Sequence, residues 1–284
     1  MFHPFSTLAR LAADCPGCHL GTACFILPLA HPLGVAEATA TLDVICGGRL
    51  LFGVGQGYRV PEFQSFGIPR HERGARLIEA VTAIRTLWAD DPASYEGRFY
   101  QFSGISITPK PIQRPGPPVW VVPTPSRAWP ASPTSATPGS RAAATPEPSS
   151  AKQWPPTDED SRSSGDHTTA YRCSASCTWA PAARQAEAEM KDAFRALYES
   201  YARWGQPGER YDLDFDELKQ ERILVGSPEG VAERLLEYQA EFDVPFMWFR
   251  LYYPGMDMQL ALETIRLFGQ EVIPLCPLTL ARPA

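Results

Sequence analysis

An α/β fold, a parallel sheet with helices packed outside it, is what this sequence predicts, and three observations predict it. Strand-patterned and helix-patterned segments alternate in order from Met1 to Val122. The strand-patterned segments are continuous apolar runs, the pattern of strands covered on both faces. Helical segments lie between them, so the repeating unit is strand, crossover helix, strand, which implies parallel pairing.

Phe5 to Ala13 is patterned as a helix, and His19 to Pro28 (HLGTACFILP) as one continuous buried strand. Pro32 to Ile45 places Leu33, Val35, Ala36, Ala40, Leu42 and Ile45 largely on one side and stops at Gly47-Gly48, glycine being the residue that tolerates the left-handed backbone of a helix end. Arg49 to Val54 is a second buried strand running into the Gly-rich turn GVGQGY. Ala75 to Asp90 is amphipathic, with Leu77, Ile78, Val81, Ile84, Leu87 and Trp88 at three-and-four spacing. EGRFYQFSGISITPKP reads as a hairpin and Pro118 to Val122 as a further apolar strand.

From Pro123 to Ala183 the composition changes: 61 residues contain no Leu, Ile, Val, Met or Phe, and Pro, Ser, Thr and Ala make up about two thirds of them. No core can be built from such a stretch, which reads as a disordered linker. Globular patterning returns at Arg184. Met190, Phe194, Leu197, Tyr198, Tyr201 and Trp204 share a helix face, and Ile223 to Val225 is strand-like. Ser227-Pro228-Glu229 starts a helix with a serine cap, a proline in the first turn and an acid at the positive end of the dipole. That helix runs through Leu235, Leu236 and Tyr238. The strand PFMWFRLYY and a last helix from Met258 to Phe268, leading into EVIPLC, complete the chain.

Composition limits the function. The chain has 284 residues, 44% hydrophobic and 11% aromatic, enough for one large core or two small ones. Its 26 basic and 32 acidic residues give a net charge of -6 without a like-charge run, which argues against a nucleic-acid partner or a membrane anchor. No apolar stretch reaches the roughly 18 residues of a membrane span, and the start MFHPFSTLARLAADC lacks a leader pattern. A cytoplasmic protein acting on a small molecule is expected. The basic residues divide into 22 Arg and 4 Lys and there is no Asn, the signature of GC-rich codons.

The seven cysteines are expected to be reduced thiols. Cys15-Pro-Gly-Cys18-His19 matches the C-x-x-C-H pattern of covalent haem attachment, and its two cysteines alone could form a redox pair or half a zinc site. Against these stands the plainer reading of a helix-to-strand turn that happens to hold two thiols, with His19 opening a buried strand.

The run GTACFILPLAHPLGVAEATATLDVICGGRLLFGVGQGYRVPEFQSFG closely resembles the bacterial luciferase-like flavin-dependent oxidoreductases. So do the Arg-rich turn before Ala75, PKPIQRPGPPVWV, GSPEGVAERL and FGQEVIP. The resemblance covers Met1 to Val122 and Arg184 to Cys276, with the motifs in family order. It implies a TIM (β/α)8 barrel, here incomplete. Met1 falls near the family's second helix, so two strands are missing, and the phosphate-facing loop after PVWV is replaced by the coreless stretch. Three segments are therefore expected: 1–122 and 184–284 as two parts of one barrel, and 123–183 as a disordered or frameshifted insert.

A frameshift explains that insert. Codons formed from the third base of one residue and the first two of the next permit GADTVAGVARVADLGDAWL from Val121 to Ser140. The same offset permits ALVSQAVAAYRRGLA around Pro148 to Arg162 and PVLRELHVGA from Tyr171 to Pro181. These resemble the family's phosphate loop with its next helix, a further helix and the next strand, in order.

The resemblance also implies site residues. Thr22 is followed by Ala23 and Cys24, the position of a non-proline cis peptide that bulges under the flavin ring. Gln56, Gly57 and Tyr58 form the turn that approaches the cofactor, glycine letting backbone come close to a ligand. Gln56 stands where luciferase has a phosphate-binding arginine, and it can donate a hydrogen bond without supplying charge. Among Arg70, Arg73 and Arg76, the last two are assigned to a cofactor phosphate, with solvated surface arginines as the alternative. His31 is expected to shape the start of a helix. Trp248, Arg250 and Tyr252 or Tyr253 line a substrate pocket or pack in the barrel. The family's catalytic histidine belongs to a missing strand, so no catalytic residue is assigned.

The implied activity is that of a monooxygenase-type oxidoreductase using reduced FMN or the deazaflavin F420 on a small organic substrate. Dioxygen as co-substrate, a flavin reductase and a homodimer are its implied partners. With strands absent and sheet edges exposed, the chain is expected to fold poorly and to have impaired activity. The rival reading is a non-enzymatic interaction protein, two globular segments joined by a Pro/Ser-rich linker.

Overall fold

A computed structural model of the chain describes residues 3–122, 174–177, 191, 194–199, 201–203, 214–217, 223–242, 248–252 and 256–276. These fall into two compact units, one carrying the described residues up to 122 and the other those from 174 onward.

The N-terminal unit opens with α1 (Pro4–Asp14), which buries Phe5, Leu8 and Ala12 along one stripe. After a tight turn the chain enters β1 (Leu20–Gly21) and β2 (Phe25–Ile26), then a 3-10 turn, Leu27–Leu29. α2 (Pro32–Ile45) has the limits its pattern predicts, with proline in its first turn and the Leu33 N–H donating to His31 Nδ1 at 3.2 Å. His31 is thus a helix cap, and Gly47 and Gly48 end the helix with φ of 63° and 74°. β3 (Leu50–Gly55) follows, then α3 (Val60–Ser65), a 3-10 turn at Arg70–Glu72 and α4 (Arg73–Ala89). The hairpin β4 (Ala93–Glu96) and β5 (Gln101–Ile105) precedes β6 (Val119–Val122).

All the sheet pairings of β1, β2, β3 and β6 are parallel, with β3 at the centre. The continuous strand expected over His19 to Pro28 is two short strands on the same side of β3, and His19 is exposed. Leu20 and Gly21 face Leu50 and Leu51, whereas Phe25 and Ile26 face Val54 and Gly55. Four steps separate Gly21 from Phe25 and three separate their partners, so one extra residue is accommodated between them, a β-bulge. An apolar run carries no periodic signal that could reveal this.

The core of the unit lies between the sheet and its helices. Leu27, Leu42, Leu50, Phe52, Ile84, Leu87 and Trp88 are essentially inaccessible to solvent. Phe5 stacks on Phe25 with ring centroids 4.8 Å apart, and Trp88 meets Phe52 edge to face at 6.3 Å, arrangements favoured by the aromatic quadrupole. The hairpin is fastened to α4 by Glu79, whose Oε1 accepts from the Phe99 and Tyr100 N–H groups at 2.7 and 2.8 Å.

The C-terminal unit has its own parallel strands. β7 (Ser174–Cys177) lies between β8 (Ile223–Leu224) and β9 (Trp248–Phe249). Four residues of the coreless stretch are therefore strand; the remainder of 123–183 lies outside the described residues. α5 (Pro228–Phe242) starts at the expected Ser-Pro-Glu, with the Gly230 N–H donating to Ser227 Oγ. It packs Val231, Ala232, Leu235 and Tyr238 against Val272 and Cys276. Phe194 of the helical stretch 194–199, together with Ile223, Met256 and Ala261, makes a second cluster; Met190 and Trp204 are outside the described residues.

α6 (Met258–Leu267) is capped by Asp257, whose Oδ1 accepts from Gln259 and Leu260 N–H at 2.8 and 3.2 Å. Asp257→Ala is expected to destabilise this unit by about 1 kcal/mol, the ordinary value of such a cap. Faster amide exchange confined to the first turn of α6 would show it.

Candidate functional site

Functional sites of parallel α/β folds form where strands end at their carboxyl edges. In the N-terminal unit two expected site segments lie towards that edge, the bulge between β1 and β2 and the turn that ends β3. The Ala23–Cys24 peptide is cis, as the resemblance implied. It sits in the bulge between β1 and β2, with Ala23 exposed and Cys24 half-buried. Thr22 anchors the bulge from behind: it is buried, and its hydroxyl donates to the Gly53 carbonyl at 2.6 Å. Thr22 therefore fixes the backbone conformation, while the peptide after it is what faces outward.

Beside the bulge, β3 ends in the turn Gln56-Gly57-Tyr58. Its glycines are required by close packing. A Cβ on Gly55 would collide with Cys24 Sγ, and one on Gly57, which has φ +73°, would come within 2.6 Å of Ile26 Cγ2. Gln56 and Tyr58 are half-exposed. The Gln56 carboxamide reaches the start of α4, where its Oε1 would stand 3.6 Å from a Cβ on Gly74. The Arg59 guanidinium lies 5.9 Å from the centre of the Tyr58 ring.

Two arginines complete this corner. Arg73 opens α4, and its Nη1 donates to the Arg70 carbonyl at 3.0 Å. The Nε atoms of both Arg70 and Arg73 are buried and find no hydrogen-bond partner among the described residues. Burial, and after it the like charge of Arg70, pushes the Arg73 guanidinium below its ordinary pKa. Two cations crowded together with unused donors, at the positive end of a helix, are what an anion would relieve.

Arg76, grouped with them from the sequence, is engaged elsewhere. Its Nε and Nη2 both lie 2.9 Å from Glu72 Oε2, and its guanidinium stacks 4.5 Å from the Phe99 ring centre. It ties α4 to the hairpin. That role rests on Phe99, more than twenty residues away, and could not be read from local spacing. Asp43 is a residue that sequence reasoning misses. It is fully buried within α2, where Oδ2 accepts from the Gln113 N–H at 2.9 Å and Oδ1 from the Gln113 amide at 2.6 Å. The one clue is an acid on the helix face that carries Ala36 and Ala40.

In the C-terminal unit, Arg250 Nη1 donates to the Tyr201 hydroxyl at 2.8 Å and Tyr252 is exposed. The Trp248 side chain and Tyr253 lie outside the described residues. Among the described residues no group of three or more His, Cys, Asp or Glu is placed to hold a metal ion, and no helix is long and apolar enough to cross a membrane.

A parallel strand system with a cis-peptide bulge, a glycine-built turn and paired arginines at a helix start outlines an α/β fold with a cationic corner at one edge. The family model for luciferase-like monooxygenases matches residues 1–242, and the chain belongs to that family. It is 36% identical over 121 residues to the oxygenase component of a flavin-dependent trigonelline monooxygenase from Acinetobacter baylyi, covering 42% of this chain and 33% of that protein. It is 36% identical over 92 residues to an FMNH2-dependent dimethylsulfone monooxygenase from Pseudomonas putida, covering 31% and 25%. The chain thus spans about a third or less of the length of these two relatives.

Among solved structures, a monooxygenase from Streptomyces bottropensis superimposes with a TM-score of 0.72 at 24% identity, covering 96% of this chain and 82% of that one. The coenzyme F420-dependent tetrahydromethanopterin reductase from Methanopyrus kandleri does so at 0.66 with 18% identity, covering 96% and 87%. At such identities the likeness is one of fold: the neighbours are TIM-barrel proteins, in keeping with the mixed helix and strand content here.

Proposed function

We propose that this chain is a flavin-dependent oxidoreductase of the monooxygenase type, acting on a small organic substrate with reduced FMN or F420. Dioxygen serves as co-substrate in the FMN case, and a separate flavin reductase supplies the reduced cofactor. The names of the relatives support the class. The observation that carries the reading to this chain is the pair of buried, unpartnered Nε donors on Arg70 and Arg73, next to the Gln56 turn and on the same edge as the cis bulge.

Both cofactors bear a phosphate, and the residues present fit one. Arg70 and Arg73 supply charge and directed N–H groups, and Gln56 adds a neutral donor. The bulge at Ala23–Cys24 offers backbone and a small side chain to a flat ring. Gly57, which lacks a Cβ, keeps the turn low enough for a ligand to approach. The bound flavin supplies the redox chemistry, and the protein's part is to position it and exclude water.

Flavin fluorescence tests this without turnover. Arg73→Met is expected to weaken FMN binding about 10-fold to 100-fold, the value of a charge-assisted hydrogen bond, and to leave riboflavin, which lacks the phosphate, unchanged. Equal losses for FMN and riboflavin would overturn the phosphate assignment.

The barrel is proposed to be incomplete and its activity impaired. The support is the run of 61 residues without Leu, Ile, Val, Met or Phe, which stands where a barrel needs apolar strands and helices. The out-of-frame reading of 123–183 is the proposed cause, and the DNA sequence across those codons decides it. A purified chain that melts in one cooperative transition and binds FMN with a Kd of about 1 µM or below would refute the impairment.

A further inference from the structure

The turn between α1 and β1 holds a second chemical feature, independent of the flavin reading and at the opposite edge of the sheet. The Cys18 N–H donates to the Cys15 carbonyl at 3.2 Å, closing a four-residue turn over Pro16 and Gly17. Such a turn brings its end Cα atoms within about 7 Å, and a disulfide spans about 4.4–6.8 Å. Both thiols are free, Cys18 exposed and Cys15 half-buried, and no atom lies within 4 Å of a Cβ built on Gly17, so the turn is open to solvent.

Arg49 braces it. Its Nη1 donates to the Cys15 carbonyl at 3.0 Å and also to the Cys18 carbonyl, while the Arg49 carbonyl accepts from the Leu20 N–H at 3.0 Å. The first rung of the β1–β3 pairing therefore fixes the two cysteines relative to each other. Among the described residues no third metal ligand joins them, which leaves the thiols themselves as the chemistry.

We propose that Cys15 and Cys18 form a reversible dithiol–disulfide site that reacts with low-molecular-weight disulfides. The exposed Cys18 thiolate attacks one sulfur of the small disulfide, forming a mixed disulfide and releasing one thiolate. The Cys15 thiolate then attacks Cys18 Sγ and expels the second. The two protein thiols give up two protons and two electrons, and the small disulfide becomes two thiols, so the exchange balances. Because the ring closes inside one turn, it leaves the rest of the fold in place.

The test uses the full chain, reduced, equilibrated in graded mixtures of glutathione and glutathione disulfide, acid-quenched, alkylated and mapped by mass spectrometry. The expected result is joint loss of both alkylation sites from the Cys15–Cys18 peptide, with no retained glutathione and full recovery in excess glutathione. Cys15→Ser should trap glutathione on Cys18. Cys18→Ser should react at least about tenfold more slowly, because access governs exchange. A stable glutathione adduct in the unaltered chain, pairing of Cys18 with Cys24 instead, or two alkylatable thiols surviving in the fully oxidised mixture would each overturn the proposal.

Discussion

Trp88→Ala is expected to destabilise the N-terminal unit by about 3–5 kcal/mol, the usual range for deleting a buried large aromatic. Trp88 is 1% exposed and faces three elements at once. Its ring meets Phe52 of β3 edge to face, and its Nε1 donates to the Ala36 carbonyl of α2 at 3.3 Å. Gly116, just before β6, packs so closely on the ring that a Cβ there would collide with it. The surrounding elements can collapse only partly into the space, because each is held by its own pairing. Amide exchange in α2, α4 and β3 of the full chain measures the effect. A change below about 1 kcal/mol would show that the ring is not the keystone of this layer.

Asp43→Ala is expected to cost about 3 kcal/mol by a different route. The side chain is fully buried and accepts from both the backbone and the side-chain amide of Gln113. Gln113 Nε2 also donates to the Leu50 carbonyl at 2.9 Å, so this pair ties α2 to the segment before β6 and to the first residue of β3. Alanine removes the acceptors and leaves the half-buried Gln113 N–H without one, which is more costly than the loss of the bonds alone. Asp43→Asn keeps one acceptor oxygen and should lose about half as much. Because Asn fills the same volume, an Asp43→Asn variant as stable as the unaltered chain would point to packing instead.

The sequence is most legible where structure is decided locally. α2 begins at a proline after a histidine cap and stops at two glycines, all signals within a few residues of the ends they set. α3 escapes sequence reading because six residues, with only Phe63 buried, are too few for a helical period to register. The break between β1 and β2 is invisible to periodicity, since an apolar run looks alike whether or not it is straight; only the family resemblance points to Ala23–Cys24. The site divides the same way. Glycines at close approaches and arginines at a helix start can be named from the sequence. The separation of Arg73 from Arg76 depends on Glu72 and Phe99, and the place of Asp43 on a partner 70 residues away; these are contacts that only the folded chain defines.

The bulge also has an effect on the core that lies beyond the ligand edge. Neighbours in a parallel pair point to the same face, and faces alternate along a strand. With its extra residue, the chain puts Phe25 opposite Val54, on the side where Phe5 and Phe52 wait for it. Were the strand to run on from Gly21 without the bulge, Phe25 would fall opposite Gly55 and turn its ring away from this aromatic group; the bulge absorbs the extra residue and holds the alternation in phase. The distortion is in this sense a phase corrector written into the strand: one more residue is spent at the ligand edge without turning the hydrophobic interior inside out.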